Sequence, residues 1–301
     1  MTVLEGIQKS TEFLAKKDVE SPRLQAELLL AHVLNLPRMK LYLNFERALK
    51  DSETDTFREL VKRRAQREPL QHIVGSTSFC GLEISVNRHV LVPRPETELL
   101  AEMGWSFLSG ISSQPATALD FGTGSGCIAI VLAAKVPGAV ITALDVSNEA
   151  LEVARQNAAK NNVADRVSFV QGDGLKSLPG QKSDSRERDE SHGQDVLATT
   201  AFDLIVSNPP YIPTAEIATL DPEVRDYDPR GALDGGADGL DFYRRLSHEA
   251  RPFLKSGGKI MLEFGDSQGA AIRDIFNGEN WIVEGIREDY TQRERILMAT
   301  L

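Results

Sequence analysis

The chain has 301 residues, more than one ordinary domain needs, and 41% of them are hydrophobic and 26% charged, the make-up of a globular protein with a sizeable core. Thirty-four basic residues stand against 44 acidic ones, and the net charge of −10 excludes a protein that coats nucleic acid without selectivity. Two cysteines, Cys80 and Cys127, are too few for a disulfide framework, and five scattered histidines without HExxH or CxxC spacing offer no metal site.

The opening MTVLEGIQKSTEF carries Glu5 and no long apolar run, so a secretory signal is not expected there. Residues 1–67 read as helices, with apolar positions at helical spacing in Val3, Leu4 and Ile7 and again in Leu24, Leu28, Leu29 and Val33. Pro22 and Pro37 are placed as helix openers. A further helix is predicted from about Ser52 to Arg67, with Phe57, Leu60 and Val61 on one face and Lys62, Arg63, Arg64 and Arg67 forming a basic surface. Positions 1–75 hold 13 basic and 11 acidic residues, so this part is +2 and the remainder −12. A helical domain over 1–70 is therefore predicted, followed by a β-hairpin linker over 71–92, where QHIVGSTSFCGLEISV breaks into short β-type runs at Gly75 and Gly81.

From residue 93 to 301 strands and helices alternate. ATALDF, AVITALD, RVSFVQ, FDLIVS and GKIMLEF read as strands, with helices such as EALEVARQNAAKNN and DFYRRLSHEARPFL between them. This alternation implies an α/β fold with a parallel sheet covered on both faces and ligands at the carboxyl ends of its strands. WIVEGIRED and ERILMATL, separated only by a turn, suggest an antiparallel pair at one edge. The stretch 178–201 has almost no apolar residue before Val196 and reads as a solvated, disordered insertion between two strands. The longest apolar stretch, Cys127 to Ala134, is too short to span a bilayer, so a cytoplasmic protein is expected, monomeric by default.

Asp120-Phe121-Gly122-Thr123-Gly124-Ser125-Gly126 follows a strand and opens a helix, and its glycines let the backbone approach a ligand. The spacing is GxGxG, not the GxGxxG of dinucleotide binders. Asp120 would repel a phosphate and attract an amino group. Asp145, at the end of the next strand, is positioned to accept both hydroxyls of a ribose, and Asp173, after the third, to accept from an adenine amino group. A ligand with a ribose, a cationic amino-acid end and no phosphate is S-adenosylmethionine. Cys127 reads as small packing on the following helix.

Asn208-Pro209-Pro210-Tyr211 follows the fourth strand of the alternating region at the same sheet edge. Prolines cannot donate and hold φ fixed, so the Pro209 carbonyl is left as a directed acceptor beside the Asn208 side-chain oxygen. Two acceptors can bind both protons of a planar NH₂ group and aim its lone pair, and Tyr211 offers a ring face for stacking. The motif specifies a planar amino nucleophile, which is glutamine or adenine.

With these residues assembled, the chain resembles the release-factor glutamine methyltransferases of the HemK/PrmC type. The likeness extends to REPLQHIVG at 67–75, VLVPRPETELL at 90–100 and LDGGADGL at 233–240. The resemblance implies a class I methyltransferase fold: a Rossmann-like, mostly parallel seven-stranded sheet with an antiparallel last strand, preceded by the helical domain and hairpin. It implies S-adenosylmethionine as cofactor, held by Asp120, Gly122 through Gly126, Asp145, Asp173 and Asn208, and a substrate glutamine held by Asn208, Pro209, Pro210 and Tyr211. Asn208, Pro209 and Tyr211 are the expected catalytic set. The product implied is N5-methylglutamine in the GGQ loop of class 1 peptide chain release factors, with the helical domain docking that partner. Where family members often carry a bulky residue after the acid matching Asp173, this chain has Gly174. Arg94 and Glu96 are expected to form an ion pair and cap, and His72 to be structural. The competing readings are glutamine methylation of a ribosomal protein, N6-adenine methylation of nucleic acid, a non-catalytic S-adenosylmethionine-binding regulator and, on glycine spacing last, a nicotinamide oxidoreductase. The charge of residues 76–301 opposes the nucleic-acid reading.

Overall fold

In the computed structural model, which describes residues 1–112, 115–178 and 201–301, the chain divides into two units. Met1–Ser76 and Leu220–Asp228 make one, and Thr77–Thr219 with Pro229–Leu301 make the other. The expected insertion at 178–201 lies outside the described residues except at its ends, and Leu178 packs in the core. No helix among the described residues is long and apolar enough to cross a membrane.

Helical periodicity gives the first unit its helices Val3–Ala15, Pro22–Val33, Arg38–Leu41, Asp51–Ala65 and Leu70–Val74. Thr2 and Glu5 form a reciprocal capping box at the first helix, satisfying two backbone donors that a helix start leaves open. Pro22 sits in the opening turn of the second, where its missing N–H costs nothing. Val3, Ile7, Leu14, Leu29, Leu30, Phe57 and Val61 interlock as the core. The run QHIV, expected as β-type, is one helical turn stopped by Gly75 at φ 83°.

The expected open basic surface at Lys62–Arg67 is not present. Arg64 is buried, and its Nη2 donates to Glu223 at 2.8 Å, while Arg67 grips the same carboxylate through Nε and Nη2, both at 2.6 Å. Arg63 forks onto Glu68. A guanidinium removed from water demands such a partner, and here it comes from the short helix Pro222–Arg225, far along the chain.

The second unit opens with the hairpin of β1 (Ser76–Phe79, whose first residue belongs to the helical unit) and β2 (Leu82–Ser85), turned by Cys80 and Gly81 at positive φ. Five strands follow: β3 (Thr117–Phe121), β4 (Val140–Asp145), β5 (Val167–Gln171), β6 (Phe202–Ser207) and β7 (Leu254–Glu263). The chain ends in β8 (Ile282–Glu288) and β9 (Glu294–Thr300). The seven-stranded sheet has the order β5-β4-β3-β6-β7-β9-β8. β3 to β7 run parallel, while β9 enters antiparallel between β7 and β8, as the terminal strand pair predicted. β3 and β6 are buried along their whole length, so their polar members, Thr117 and Asp120 in β3 and Asp203 and Ser207 in β6, are all hydrogen-bonded inside the unit.

Alternate residues of these strands feed two cores. Ala118, Leu204 and Val206 face helices Pro95–Ser109, Cys127–Lys135 and Asn148–Lys160, and Leu119 and Ile205 face Asp241–Glu249 and Gly269–Gly278. Hairpin residues Phe79 and Ile84 belong to the first core. Fully buried Asn157 exchanges hydrogen bonds with the Ser85 backbone at 2.8 and 2.9 Å and donates to the Ser125 carbonyl at 2.9 Å, so one amide fastens the hairpin to the glycine turn. Arg94 takes the N-cap position of helix Pro95–Ser109 without a side-chain cap bond, so the expected capping role is not played.

Candidate active site

The sheet splits at β3, with β4 on one side and β6 on the other, and a parallel sheet opens a crevice beyond its carboxyl edge at such a point. Ser207 at the end of β6 donates to the Phe121 carbonyl at the end of β3 at 2.6 Å. That bond brings the two loops leaving these strands side by side. Gly122-Thr123-Gly124-Ser125-Gly126 is one loop and Asn208-Pro209-Pro210-Tyr211 the other.

Gly122, Gly124 and Gly126 all have φ between 54° and 80°, a region costly for residues with a Cβ. Two N–H groups, of Gly122 and Thr123, bond the Leu144 carbonyl at 2.8 and 3.0 Å, which closes the turn onto β4. Asp145 accepts from Gly124 N at 2.8 Å and from Ser147 N at 2.9 Å, so its carboxylate is held at the rim with acceptor capacity to spare.

A cavity of about 220 Å³ lies between the loops. Of the expected residues, Gly122, Gly124, Asp145, Asp173, Asn208, Pro209 and Pro210 line it. Asp120, Thr123, Ser125, Gly126 and Tyr211 do not. Asp120 is buried beneath the turn, where its Oδ2 accepts from Thr123 Oγ1 at 2.6 Å and Ala129 N at 3.1 Å. Burial pushes its carboxyl up to about 7 against those two bonds, and it braces the loop from below, outside the cavity lining. The Ser125 carbonyl holds Asn157. Gly126 is tight for packing, since a Cβ there would lie 3.0 Å from Ala154 and Ile130. The Tyr211 ring, expected to face a substrate, packs into the second core against Gly265, and burial pushes its hydroxyl up to about 12.

Asp173 is at the wall but already engaged. Arg245 donates to its Oδ1 at 2.6 Å and to its carbonyl at 2.5 Å. Gly174, at φ 102°, leaves room for that guanidinium exactly where a side chain would stand. The residue that follows the acid is small because an arginine from helix Asp241–Glu249 occupies the place.

Asn208 is held by Thr97 in the first turn of helix Pro95–Ser109. Its Nδ2 donates to Thr97 Oγ1 at 3.0 Å, leaving Oδ1 as the amide's acceptor at the cavity. No described residue donates to the Pro209 carbonyl. The segment 233–240 clamps this turn. Ile212 N bonds the Leu233 carbonyl at 3.0 Å, Gly235 N bonds the Ile212 carbonyl at 2.9 Å, and a Cβ on Gly235 would stand 2.8 Å from the Pro210 oxygen.

Sequence reasoning missed His89, Val90, Leu91, Val146 and Phe242 among the residues of the wall, and Thr97 behind it. The signal for Val90 and Leu91 was VLVPRPETE, in which only Arg94 and Glu96 have an expected role. For Val146 it was an apolar residue directly after the ribose-type acid; it is 65% exposed and stands at the cavity wall. A groove with open backbone at two glycines, an acid at hydroxyl distance from the loop and apolar Val146 and Phe242 fits a nucleoside bearing a short cationic tail.

Residues 5–75 match the family described as the PrmC N-terminal domain, and residues 112–294 a methyltransferase domain family. The release factor glutamine methyltransferase of Chlorobaculum tepidum is 41% identical over 297 residues, covering 98% of this chain and 95% of that protein. That of Geobacter sulfurreducens is 41% identical over 278 residues, 92% of this chain and 88% of that one. Among solved structures, the hMettl16 catalytic domain in complex with MAT2A 3′UTR hairpin 1 aligns with a TM-score of 0.51 at 17% identity, covering 86% of this chain and 84% of that one, a likeness of fold alone.

Proposed function

The chain belongs to the release factor glutamine methyltransferase family, and we propose that it moves a methyl group from S-adenosylmethionine to the side-chain amide nitrogen of the glutamine in the GGQ loop of class 1 peptide chain release factors. The observation that carries the reading is the fixed Asn208 amide, whose NH₂ donates to Thr97 and whose oxygen remains for a ligand beside the glycine turn.

An amide nitrogen is a poor nucleophile because its lone pair is delocalised into the carbonyl. The Asn208 oxygen and the Pro209 carbonyl accept its two hydrogens, which orients the nitrogen and favours its pyramidal form as the new bond develops. S-Adenosylmethionine supplies, when bound, an electrophilic methyl on a positively charged sulfur. Gly122 and Gly124 let its chain lie against the backbone, Asp145 accepts from the ribose hydroxyls, and Val146 and Phe242 cover the base, whose amino group is assigned to Asp173. Tyr211 acts from behind, its ring wedged against Gly265 so that the proline turn cannot swing. No strong base is required before attack, because the nitrogen becomes acidic once methylated. We assign residues 1–70, together with 220–228 that fold with them, to docking of the release factor, 71–92 to the linker and the remainder of 93–301 to the transferase.

Incubation with labelled S-adenosylmethionine and three acceptors, a release factor, ribosomal protein L3 and duplex DNA, tests this. Label is expected in the release factor and at its GGQ glutamine, and Asn208→Ala should lower the rate by about 10²–10³. Label in DNA alone overturns the reading.

A further inference from the structure

Glu263 ends β7 at the carboxyl edge of the sheet, yet its side chain points inward and is 2% exposed. It lies behind Asn208. Thr97, equally buried, sits between helix and strand and accepts from the Asn208 amide at 3.0 Å, and both Thr97 and Asn208 favour the ionised form of the Glu263 carboxyl. The second carboxyl oxygen, Oε2, has no hydrogen-bond partner among the described residues. A buried acid with an unmet acceptor costs stability, and a glutamine of the same volume would avoid burying the charge. An acid at this place calls for another reason.

The reason lies in the proton count. A threonine hydroxyl has one proton to give, and having accepted from Asn208 it must donate elsewhere. A carboxylate can only accept. We propose that Glu263 is a positioning residue for methyl transfer, the terminal acceptor that polarises the chain Asn208–Thr97–Glu263 in one direction and keeps the Asn208 oxygen, not its NH₂, turned to the cavity. A protonated Glu263 can donate to Thr97, reverse the chain and rotate the amide. The cavity would then present donors to a substrate NH₂ that is itself a donor. The inference rests on the reading of Asn208 as acceptor for the nucleophile.

The groups facing Glu263 come from four elements. Glu96 on the Thr97 helix opposes its ionisation and Arg295 on β9 favours it, while the Tyr211 and Tyr243 hydroxyls lie near enough to feel its charge. Burial outweighs all of them and pushes Glu263 up to about 7, so the switch falls within the working range of pH.

Single-turnover methylation of a release factor with bound S-adenosylmethionine, followed from pH 5.5 to 8.5, reads the effect. Wild type should show a rate that rises with pH through an acid limb near neutrality. Glu263→Gln should lose that limb and run about ten- to a hundredfold slower at pH 8, with S-adenosylmethionine affinity by calorimetry within about twofold of wild type. Thr97→Val breaks the same chain without touching the acid and should behave alike, while Thr97→Ser restores rate and limb. A Glu263→Gln or Thr97→Val enzyme with wild-type rate and limb overturns the proposal, as does a loss of cofactor affinity that matches the loss of rate. Asn208→Ala separates the two levels. If it is fully active, the reading of Asn208 has failed; if it is inactive while Glu263→Gln is normal, only the role of Glu263 has.

Discussion

Arg245 and Asp173, 72 residues apart, share two hydrogen bonds at 2.6 and 2.5 Å, and the guanidinium fills the space in front of Gly174. This acid of the cavity wall is therefore held by a partner on another helix, and the missing side chain at 174 is the condition for it. Gly174→Ala places a Cβ against the guanidinium and forces a left-handed backbone onto alanine. Backbone strain of this kind costs about 1–3 kcal/mol of stability, and displacement of the guanidinium that holds Asp173 should lower S-adenosylmethionine affinity roughly tenfold by calorimetry. Unchanged affinity would show that the Arg245 contact does not shape the site.

Glu223 is the only acid in the structure bonded by both Arg64 and Arg67 among the described residues. Glu223→Gln leaves a buried guanidinium without its counter-charge, and urea unfolding should report a loss of about 3 kcal/mol. Burial raises the Glu223 carboxyl, but the hydrogen bonds from Arg67 and Arg64 outweigh it and hold the group below its ordinary value. Its contribution is thus present above the unfolded carboxylate value and lost as pH falls through the folded one. The gap between wild type and Glu223→Gln should close below about pH 4.

Asp120 titrates the opposite way. Its folded value, pushed up to about 7 by burial, exceeds the unfolded one, so the folded state keeps a proton that the unfolded chain has given up. Stability of the ligand-free protein should decline as pH rises from about 4 to 7, and Asp120→Asn should flatten that decline by roughly 4 kcal/mol. A wild-type urea midpoint that does not move between pH 5 and 8 would contradict the burial argument.

Gly235 approaches Pro210 and Tyr211 too closely for a side chain, with 2.8 Å from its would-be Cβ to both the Pro210 oxygen and the Tyr211 Cα. Gly235→Ala must push the proline turn away from the glycine loop. A displacement on the order of 1 Å can cost about a hundredfold in rate, while cofactor binding through Gly122, Gly124 and Asp145 is left nearly intact. Steady-state methylation beside calorimetry separates the two effects.

The glycine turn and the proline turn could be placed together from sequence because parallel strands deliver their following loops to one edge, and DFGTGSG and NPPY each announce such a loop. Side-chain direction was less legible. Tyr211 looked like a stacking surface, yet Gly265 opens a slot behind it that only the fold reveals. Asp120 looked like a ligand contact, but the Thr123 hydroxyl and Ala129 N–H turn it under the loop. Glu263 left a trace, an acid at the end of the otherwise apolar run GKIMLEF, whereas Arg245 and Glu223 did not, since their partners are 72 and 156 to 159 residues away.

The short stretch Leu220–Asp228 is numbered among the transferase residues but folds with the N-terminal helices, where Glu223 answers Arg64 and Arg67. A cut at the hairpin would not yield two self-sufficient modules. The catalytic fragment would carry residues 220–228 without the helices they fold with, and the helical fragment would retain Arg64 and Arg67 without the carboxylate that neutralises them. Such interleaving binds the fate of both halves, so that neither can be exchanged for a homologous piece unless residues 220–228 travel with the helices they serve.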